Sequence, residues 1–168
     1  FHEVVNDTVD GDPVAVTWCP LCASAVVYDR TVGDEMLTFG VSGNLADDTL
    51  VMYDRETGSE WKQSLGACIA GEYEGTELTM RPATVLTYER FVEQYPDGVV
   101  LQPTGANSEA ASADDEPAPI DYTEDPYDAY FESEGFGLGA HRDGESRRWE
   151  RDDIESKTIV LGIECDGE

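Results

Sequence analysis

Short runs in which apolar and polar residues alternate dominate the first hundred residues of the chain. Residues 14–18, VAVTW, show this alternation, which is typical of a half-buried β-strand. Three further pairs of such runs flank turn-forming segments at 31–35, 55–58 and 72–76, namely AVVYDR with MLTFGV, LVMYD with SEWKQ, and ACIAG with ELTMR. Runs joined by short Gly- and Asp-containing turns predict β-hairpins. We therefore expect a meander of short strands.

The second part of the chain carries a different pattern. Apolar residues recur at helical spacing after Thr87, a suitable N-cap, and predict one short helix near 88–95. Residues 104–126 are rich in Ala, Ser, Asp, Glu and Pro. This composition buries too little apolar surface to fold, so it predicts an acidic low-complexity loop or insertion. A last apolar run at 158–165 predicts a strand that returns to the sheet.

These elements and the length of the chain predict its fold class. Its 168 residues suit one domain with a sizeable core. We expect residues 1–168 to form a single, mainly β domain of β-rich α+β type, built as a twisted meander or a barrel-like sheet with one short packing helix.

The charge of the chain is strongly one-sided. It has 37 acidic and 10 basic residues, a formal net charge of −27. Such a surface repels phosphates and anionic lipids, which excludes nucleic-acid and membrane-surface binding. Because the Debye length falls to about 3 Å at 1 M salt, concentrated salt makes this charge tolerable, and the acidic surface indicates a halophilic origin. No apolar run reaches the roughly 18 residues that span a membrane, so we expect no direct insertion.

The most distinctive short motif is WCPLC, which sets Cys19 and Cys22 two residues apart after a strand. Such a pair can hold a soft or borderline metal ion, exchange disulfides, or close a structural loop. Thiol–disulfide exchange with Cys19 as nucleophile is typical of thioredoxin-like proteins, whose first cysteine is activated by a following helix. Here β-branched residues follow, so we predict no helix at that position and rank this alternative lower.

The N-terminal stretch FHEVVND offers a third metal ligand. It lacks the second histidine of the zinc-protease motif, since position 6 is Asn, and this excludes that class. A hairpin through NDTVDGDP brings His2 back towards Cys19 and Cys22. Three ligands of this kind suit copper(I), or zinc with an exogenous fourth ligand.

Several separated motifs resemble one protein family. The chain resembles the domain of unknown function 3179 family in six motifs that occur in the same order. These motifs are FHEVVND, VAVTWCPLCASAVVYDR, LTFGVSGNL, LVMYDRETGSEWKQ, YPDGVVL and DPYDAYFES. The resemblance implies no activity; it implies an exported or cell-surface location, although a cytoplasmic one stays open, and a family pattern that continues beyond both ends. The characteristic positions that it implies are His2, Glu3, Asn6, Asp7, Cys19 to Cys22, Asp29, Arg30, Gly40, Ser42, Gly43, Tyr53, Asp54, Arg55, Trp61 and Gln63.

The polar positions also have a structural interpretation. Asp29–Arg30 and Asp54–Arg55 stand where strands meet turns, where such pairs commonly cap backbone groups. Trp61 alternates with charged neighbours and is expected in the core. Ser42 has no histidine close in sequence, so a hydrolase triad is disfavoured.

Two features lie outside the family pattern. Cys68 and Cys165 are expected to be buried thiols, with a disulfide between them as the alternative. His141 lies in an Arg-rich patch that is expected to be a solvated, self-paired face, with a carboxylate or phosphate pocket as the alternative.

The leading hypothesis is a domain that binds copper or zinc through His2, Cys19 and Cys22. The alternatives are a thiol–disulfide oxidoreductase that uses the same cysteine pair and a non-catalytic structural or binding module. Other candidate functional residues are Glu3, Asn6, Asp7, Ser42, Asp54, Arg55 and Gln63. No sequence feature specifies a small-molecule or protein partner, or an oligomeric state.

Overall fold

The computed structural model describes residues 2–102, 121–124, 126–141 and 147–160. This part of the chain contains ten strands and three helices. The strands are β1 Val4–Val9, β2 Asp12–Cys19, β3 Ser24–Asp29, β4 Thr31–Val32, β5 Glu35–Met36, β6 Phe39–Ala46, β7 Thr49–Asp54, β8 Glu60–Lys62, β9 Ala67–Ala70 and β10 Met80–Arg81. The helices are α1 Tyr88–Gln94, α2 Asp128–Glu132 and α3 Leu138–His141.

The first sheet has four antiparallel strands in the order β1-β2-β3-β10. Its first hairpin turns at Asp10 and Gly11, which both have positive φ, 53° and 91°. Two such residues form the turn whose twist matches that of paired strands, and Asp-Gly is its favoured sequence. The hairpin pairs Val4 with Thr17, which confirms that the N-terminus folds back towards the cysteine motif.

The second sheet has four antiparallel strands in the order β6-β7-β8-β9. The hairpin predicted from LVMYD and SEWKQ is confirmed as β7 and β8, with Met52 opposite Trp61. Strands β6 and β7 turn at Asp47 and Asp48, both in the left-handed region at φ 50° and 60°. This turn uses two aspartates in place of glycine, and the prediction from turn-forming residues missed it.

Two of the predicted hairpins differ in the structure. AVVYDR and MLTFGV do not pair with each other, because β3 joins the first sheet and β6 the second, while β4 and β5 form a small separate hairpin between them. ACIAG and ELTMR are joined only near their turn, by the Ala67–Glu77 bridge and by backbone hydrogen bonds between residues 66–68 and 75–78, and β10 then pairs with β3. Each sequence pair crosses from one sheet to the other, which local alternation cannot reveal.

The core lies between the two sheets and takes residues from both. Tyr28, Leu37, Met52 and Trp61 are all fully buried, and the expected core position of Trp61 is confirmed. Edge-to-face packing of Trp61 against Phe39, with ring centroids 5.8 Å apart, joins β8 to β6.

Helix α1 confirms the predicted helix near 88–95, and the Thr87 side chain caps it by accepting a hydrogen bond from the Arg90 amide at 3.3 Å. None of its residues is buried, so the expectation that it packs on the sheet is wrong. Two further short helices, α2 and α3, follow later in the chain. They were not predicted, since only one helix was expected in the whole chain.

The mainly β fold class is confirmed, and no sheet of the described residues closes into a barrel. The predicted loop at 104–126 and the predicted strand at 158–165 fall largely outside the described residues, and 158–160 are not in a strand. No helix in the described part is both long and apolar enough to cross a bilayer. The domain extent 1–168 and the halophilic origin stay predictions.

Candidate functional site

The two cysteines of the CxxC motif lie in a tight turn that joins β2 to β3. Their sulfurs form a disulfide, with Cα atoms 5.4 Å apart. The Ala23 amide donates a hydrogen bond to the Pro20 carbonyl at 3.3 Å, and Ala23 has a left-handed backbone with φ 47°. Because residues with a Cβ seldom adopt this conformation, the covalent closure and the flanking strands together hold the turn.

The two sulfur-bearing residues differ in their access to solvent. Cys19 is 1% exposed and is part of the hydrophobic core. Cys22 is exposed, and its Sγ lies 3.4 Å from the carbonyl oxygen of Asp48 in the β6–β7 turn. Cys22 is therefore the residue of the pair that faces solvent, while Cys19 is enclosed by the core.

No helix begins at the cysteine pair. The chain enters β3 at Ser24, directly after the turn, which confirms the absence of the helix expected of a thioredoxin-like site. A helix N-terminus would stabilise a thiolate at its first turn. Any thiolate chemistry at Cys22 therefore proceeds without that contribution.

His2 lies close in the fold to the cysteine loop but its ring is directed to another partner. The β1–β2 register ends at the Val4–Thr17 pair, and one position further the Trp18 amide donates to the Glu3 carbonyl at 2.7 Å, which joins the neighbours of Cys19 and His2. The His2 Nε2 atom is hydrogen-bonded to the Tyr122 hydroxyl at 2.7 Å. The backbone thus brings His2 to the cysteines, while its imidazole contacts Tyr122.

The metal-ligand role of His2, Cys19 and Cys22 stays a prediction. Within the described ranges, no group of three or more His, Cys, Asp or Glu side chains is arranged to hold a metal ion. Metal sites use cysteine as thiolate. The disulfide must therefore be reduced before these two residues can act as ligands.

A cavity of about 110 Å³ lies against the cysteine loop. Its walls include Glu3, Cys19, Asn44, Tyr127 and His141. The N-terminal strand, the cysteine loop, strand β6 and the C-terminal segment thus meet at one place. Glu3, Cys19 and His141 were candidates from the sequence, whereas Asn44 and Tyr127 occurred there only within longer motifs.

His141 is half-buried in this cavity, so the prediction that it belongs to a solvated face is wrong. Its ring stacks on Tyr127 with centroids 5.1 Å apart, and the Tyr127 hydroxyl donates a hydrogen bond to the Glu3 carboxylate. This chain of contacts joins α3 to the start of β1, more than 120 residues away in sequence. No local pattern signals such a contact; only the motif DPYDAYFES marked Tyr127 indirectly.

The arginines near His141 differ in where their partners lie. Arg147 pairs with Asp48 at 2.8 Å and Arg151 with Asp153 at 2.5 Å. Asp153 belongs to the same patch, so the self-paired interpretation is confirmed for Arg151. Asp48 belongs to the β6–β7 turn, so the interpretation is wrong for Arg147. Arg142 lies outside the described residues.

A wider cleft of about 570 Å³ shares Glu3, Pro20 and Tyr127 with the smaller cavity. It is lined by further aromatic side chains, among them Trp18 and Phe131. The cysteine loop thus stands between two concave surfaces.

Asp54 belongs to a buried network and not to the cleft. It is fully buried; its carboxylate accepts hydrogen bonds from Trp61 Nε1 at 2.9 Å and from the Thr57 amide and hydroxyl at 2.6 and 2.8 Å. Burial by itself raises the pKa of Asp54, but the hydrogen bonds from Trp61, Thr57 and Gly58 outweigh it and leave the pKa below its usual value. Asp54 thus holds the β7–β8 turn and orients Trp61.

Gln63 is also fully buried and connects the two sheets. Its Nε2 donates to Thr17 Oγ1 at 3.0 Å, and its Oε1 accepts from Ser24 Oγ at 3.3 Å. The Tyr28 hydroxyl donates to the Gln63 carbonyl at 2.8 Å, and burial raises the pKa of Tyr28 to about 12. Gln63 therefore holds β2 and β3 against the end of β8.

Asn6 makes a similar connection between β1 and β6. Its Nδ2 donates to the Phe39 carbonyl at 2.8 Å, and its Oδ1 accepts from the Phe39 amide at 2.8 Å. The side-chain amide thereby replaces a backbone peptide in a strand ladder. This structural contact is sufficient to explain why Asn occupies position 6 of the HExxN motif, without a catalytic or ligand role.

The remaining polar candidates have structural contacts of their own. Ser42 Oγ donates to the Val51 carbonyl at 2.7 Å, and Asp7 Oδ1 accepts from the Thr8 amide at 2.7 Å. The Arg55 guanidinium lies 5.6 Å from the centroid of the Tyr53 ring. Their functional candidacy stays a prediction, although none of the three lines the cavities beside the cysteine loop.

The Asp29–Arg30 pair confirms the capping interpretation. Asp29 Oδ1 accepts from the Thr31 amide at 2.9 Å, and Arg30 Nη1 donates to the Leu37 carbonyl at 2.8 Å. Both contacts fix the small hairpin formed by β4 and β5.

Cys68 is a buried free thiol, as expected, and burial raises its pKa. Its proposed disulfide partner Cys165 lies outside the described residues. A buried thiol with a raised pKa reacts slowly, so Cys68 is a useful internal reference for the reactive pair.

The comparisons with known proteins agree with the sequence motifs. The family described as Protein of unknown function (DUF3179) matches residues 1–168. The chain belongs to this family. No curated protein and no solved structure matches the chain. The family assignment therefore brings no activity with it, and a function has to be argued from the cysteine loop.

Proposed function

We propose that the chain is a thiol–disulfide redox module whose centre is the Cys19–Cys22 pair. One observation carries the proposal: a disulfide beside two cavities has one buried sulfur-bearing residue and one exposed one. A partner thiolate can approach only the exposed side. The asymmetry gives the two cysteines different roles, and it favours Cys22 over Cys19 as the residue that meets the partner.

The exchange follows from this asymmetry. A partner thiolate attacks Cys22 Sγ; a bond forms between the partner sulfur and Cys22, the Cys19–Cys22 bond breaks, and Cys19 leaves as a thiolate that takes up a proton. A second partner thiol then attacks the partner sulfur of the mixed disulfide and releases Cys22. The partner dithiol is oxidised to a disulfide, and the protein pair is reduced. The reverse sequence oxidises the pair.

A titration in glutathione buffers tests the proposal, with thiols counted by a maleimide mass shift. We expect a reversible transition of two thiols at a potential above about −300 mV, the range in which glutathione exchanges with protein disulfides. Cys22→Ser should abolish the transition and leave Cys19 slow to alkylate. Cys68→Ser is the matched control and should leave the midpoint unchanged. A pair that stays oxidised below this range is a structural staple, and the redox proposal fails.

The second candidate function is binding of copper(I) or zinc by the reduced pair together with His2. The β1–β2 hairpin favours it, because the Trp18 amide donates to the Glu3 carbonyl and so holds the residues next to Cys19 and His2 together. The soft thiolates suit copper(I), and zinc would take an exogenous fourth ligand. The Tyr122 hydroxyl bonded to His2 would have to release the imidazole.

Metal titration of the reduced protein separates the two candidates. The metal site is supported if the reduced protein binds one copper(I) ion that a chelator can remove. The affinity should fall in His2→Gln, and binding should be lost in Cys19→Ser. His141→Gln is the control histidine variant and should bind normally. Equal loss in both histidine variants, or no binding by the reduced protein, would refute it.

A further inference from the structure

We propose that the wider cleft beside the cysteine loop binds a small organic ammonium cation. The cleft of about 570 Å³ has the size of a small-molecule site. Its lining combines aromatic rings with carboxylates, the combination that recognises such cations. The proposal is independent of the redox state of the cysteines.

Three of the four described aromatic side chains that line the cleft are exposed. Trp18 is 37%, Tyr122 48% and Phe131 46% exposed, and Tyr127 completes the set. Large aromatic side chains on the surface of a small domain usually stand apart; several around one concavity indicate a binding site. Their ring faces offer the negative quadrupole that attracts a cation.

Among the residues that the structure describes, the charged ones that line the cleft are all acidic. Glu3 and Glu124 line it, and no Lys or Arg is among the described residues that do. Lys157, two residues from Ile159 of the cleft, is engaged elsewhere, since its Nζ donates to the Ser133 and Tyr130 carbonyls. An anionic or zwitterionic ligand is therefore disfavoured relative to a cation.

Hydrogen bonds already orient two of the rings. The Tyr122 hydroxyl is bonded to His2 Nε2 at 2.7 Å, and the Tyr127 hydroxyl donates to the Glu3 carboxylate. Rings held in this way lose little freedom when a ligand arrives, which favours binding. These contacts hold Tyr122 and Tyr127 beside the start of β1, although both residues are far from β1 in sequence.

Choline is the probe that tests the proposal, with its uncharged isostere 3,3-dimethylbutanol and zwitterionic betaine as comparison ligands. Binding is followed by tryptophan fluorescence and by NMR line broadening of the ligand, in salt at which circular dichroism shows folded protein. We expect saturable choline binding, roughly three- to thirty-fold tighter than that of the isostere. Betaine should bind more weakly than choline.

Matched variants locate the site. Trp18→Ala and Glu124→Gln should each weaken choline binding by about three- to ten-fold. Tyr95→Ala and Glu89→Gln remove an exposed aromatic ring and an exposed carboxylate on or beside α1, away from the cleft, and should change nothing.

Three results would overturn the proposal. The first is equal binding of choline and its isostere, and the second is no choline binding up to about 100 mM, weaker than small ligands reach in a formed site. The third is a lysine- or arginine-containing peptide that binds the cleft more tightly than choline, which would make it a docking site for a basic protein. Glutathione titration of the same samples reads the disulfide separately, so failure here leaves the redox proposal standing.

Discussion

Residues of the family motifs occupy two different environments, the buried polar network between the two sheets and the cysteine loop. Asp54, Gln63 and Asn6 are hydrogen-bonded within the protein, and the first two are fully buried. At the cysteine loop, by contrast, Cys22 and the ring of Trp18 remain exposed beside cavities. A polar residue with all its partners inside the protein stabilises the fold; an exposed reactive or aromatic residue in a concavity is available to a ligand.

Mutations in these two regions should therefore have different effects. Changes in the network should cost folding stability and leave thiol exchange intact in the folded fraction. Changes in the loop should cost little stability and abolish exchange. The four predictions below test this division, beginning with the largest effect.

Asp54→Ala should lower the free energy of unfolding by about 3–5 kcal/mol. The change removes a buried carboxylate and leaves the Trp61 indole N–H and the Thr57 amide without their acceptor. Urea denaturation followed by circular dichroism measures the effect. Asp97→Ala, at an exposed turn, should change stability by less than about 0.5 kcal/mol; an equally small effect at Asp54 would remove it from the network.

Gln63→Ala should cost about 2–3 kcal/mol, because it leaves a cavity and unpaired partners at the junction of the sheets. The same denaturation experiment measures it, and Gln102→Ala, at an exposed glutamine, is the control. If glutathione exchange at the cysteines is lost in folded Gln63→Ala, the network and the loop are not separable and the division fails.

Reduction of the Cys19–Cys22 disulfide should cost at most about 2 kcal/mol, since a loop this short removes little entropy from the unfolded chain. The reduced protein should therefore stay folded, as measured by denaturation with and without a reductant. Cys22→Ser in the absence of reductant should give the same stability as the reduced protein. Global unfolding on reduction would assign the pair a purely structural role.

The pH dependence should show the smallest effect. The pKa of Asp54 lies below its usual value in the folded state, so its ionised form stabilises the fold above the unfolded pKa of about 3.9. This contribution is lost as pH falls below about 4 through the lowered folded pKa. Between about pH 6 and pH 3, the free energy of unfolding should therefore fall less in Asp54→Asn than in the parent protein, as measured by denaturation. Identical slopes would mean that Asp54 does not ionise in this range.

Much of the fold could be predicted because it depends on local pattern. Alternation located β2, β7 and β8, the Thr87 cap located α1, and the Asp-Gly pair marked the first hairpin turn. The partners of β3, β6 and β10 could not be predicted in this way. Alternation identifies which face of a strand is buried but not which strand covers its edge, and here neighbours in sequence enter different sheets.

The candidate site was predicted only in part. The CxxC motif and Glu3 are visible in the sequence, and the hairpin that returns His2 to the cysteines follows from one turn. The positions of Tyr127 and His141 in the cavity could not be predicted, since both residues reach it through α2 and α3. These helices follow residues 104–126, whose length and composition carry no geometric information.

The sequence by itself determined the mainly β fold class, the family and the presence of a cysteine pair without a following helix. These depend on residues close together in the chain, where backbone preference and side-chain periodicity act directly. Only the tertiary structure decided that Cys19 is buried and Cys22 exposed, that Asp54, Gln63 and Asn6 bind the fold together, and that aromatic rings surround the loop. Burial and hydrogen-bond partnership depend on which distant segments pack together, and free energy of packing is shared over the whole core.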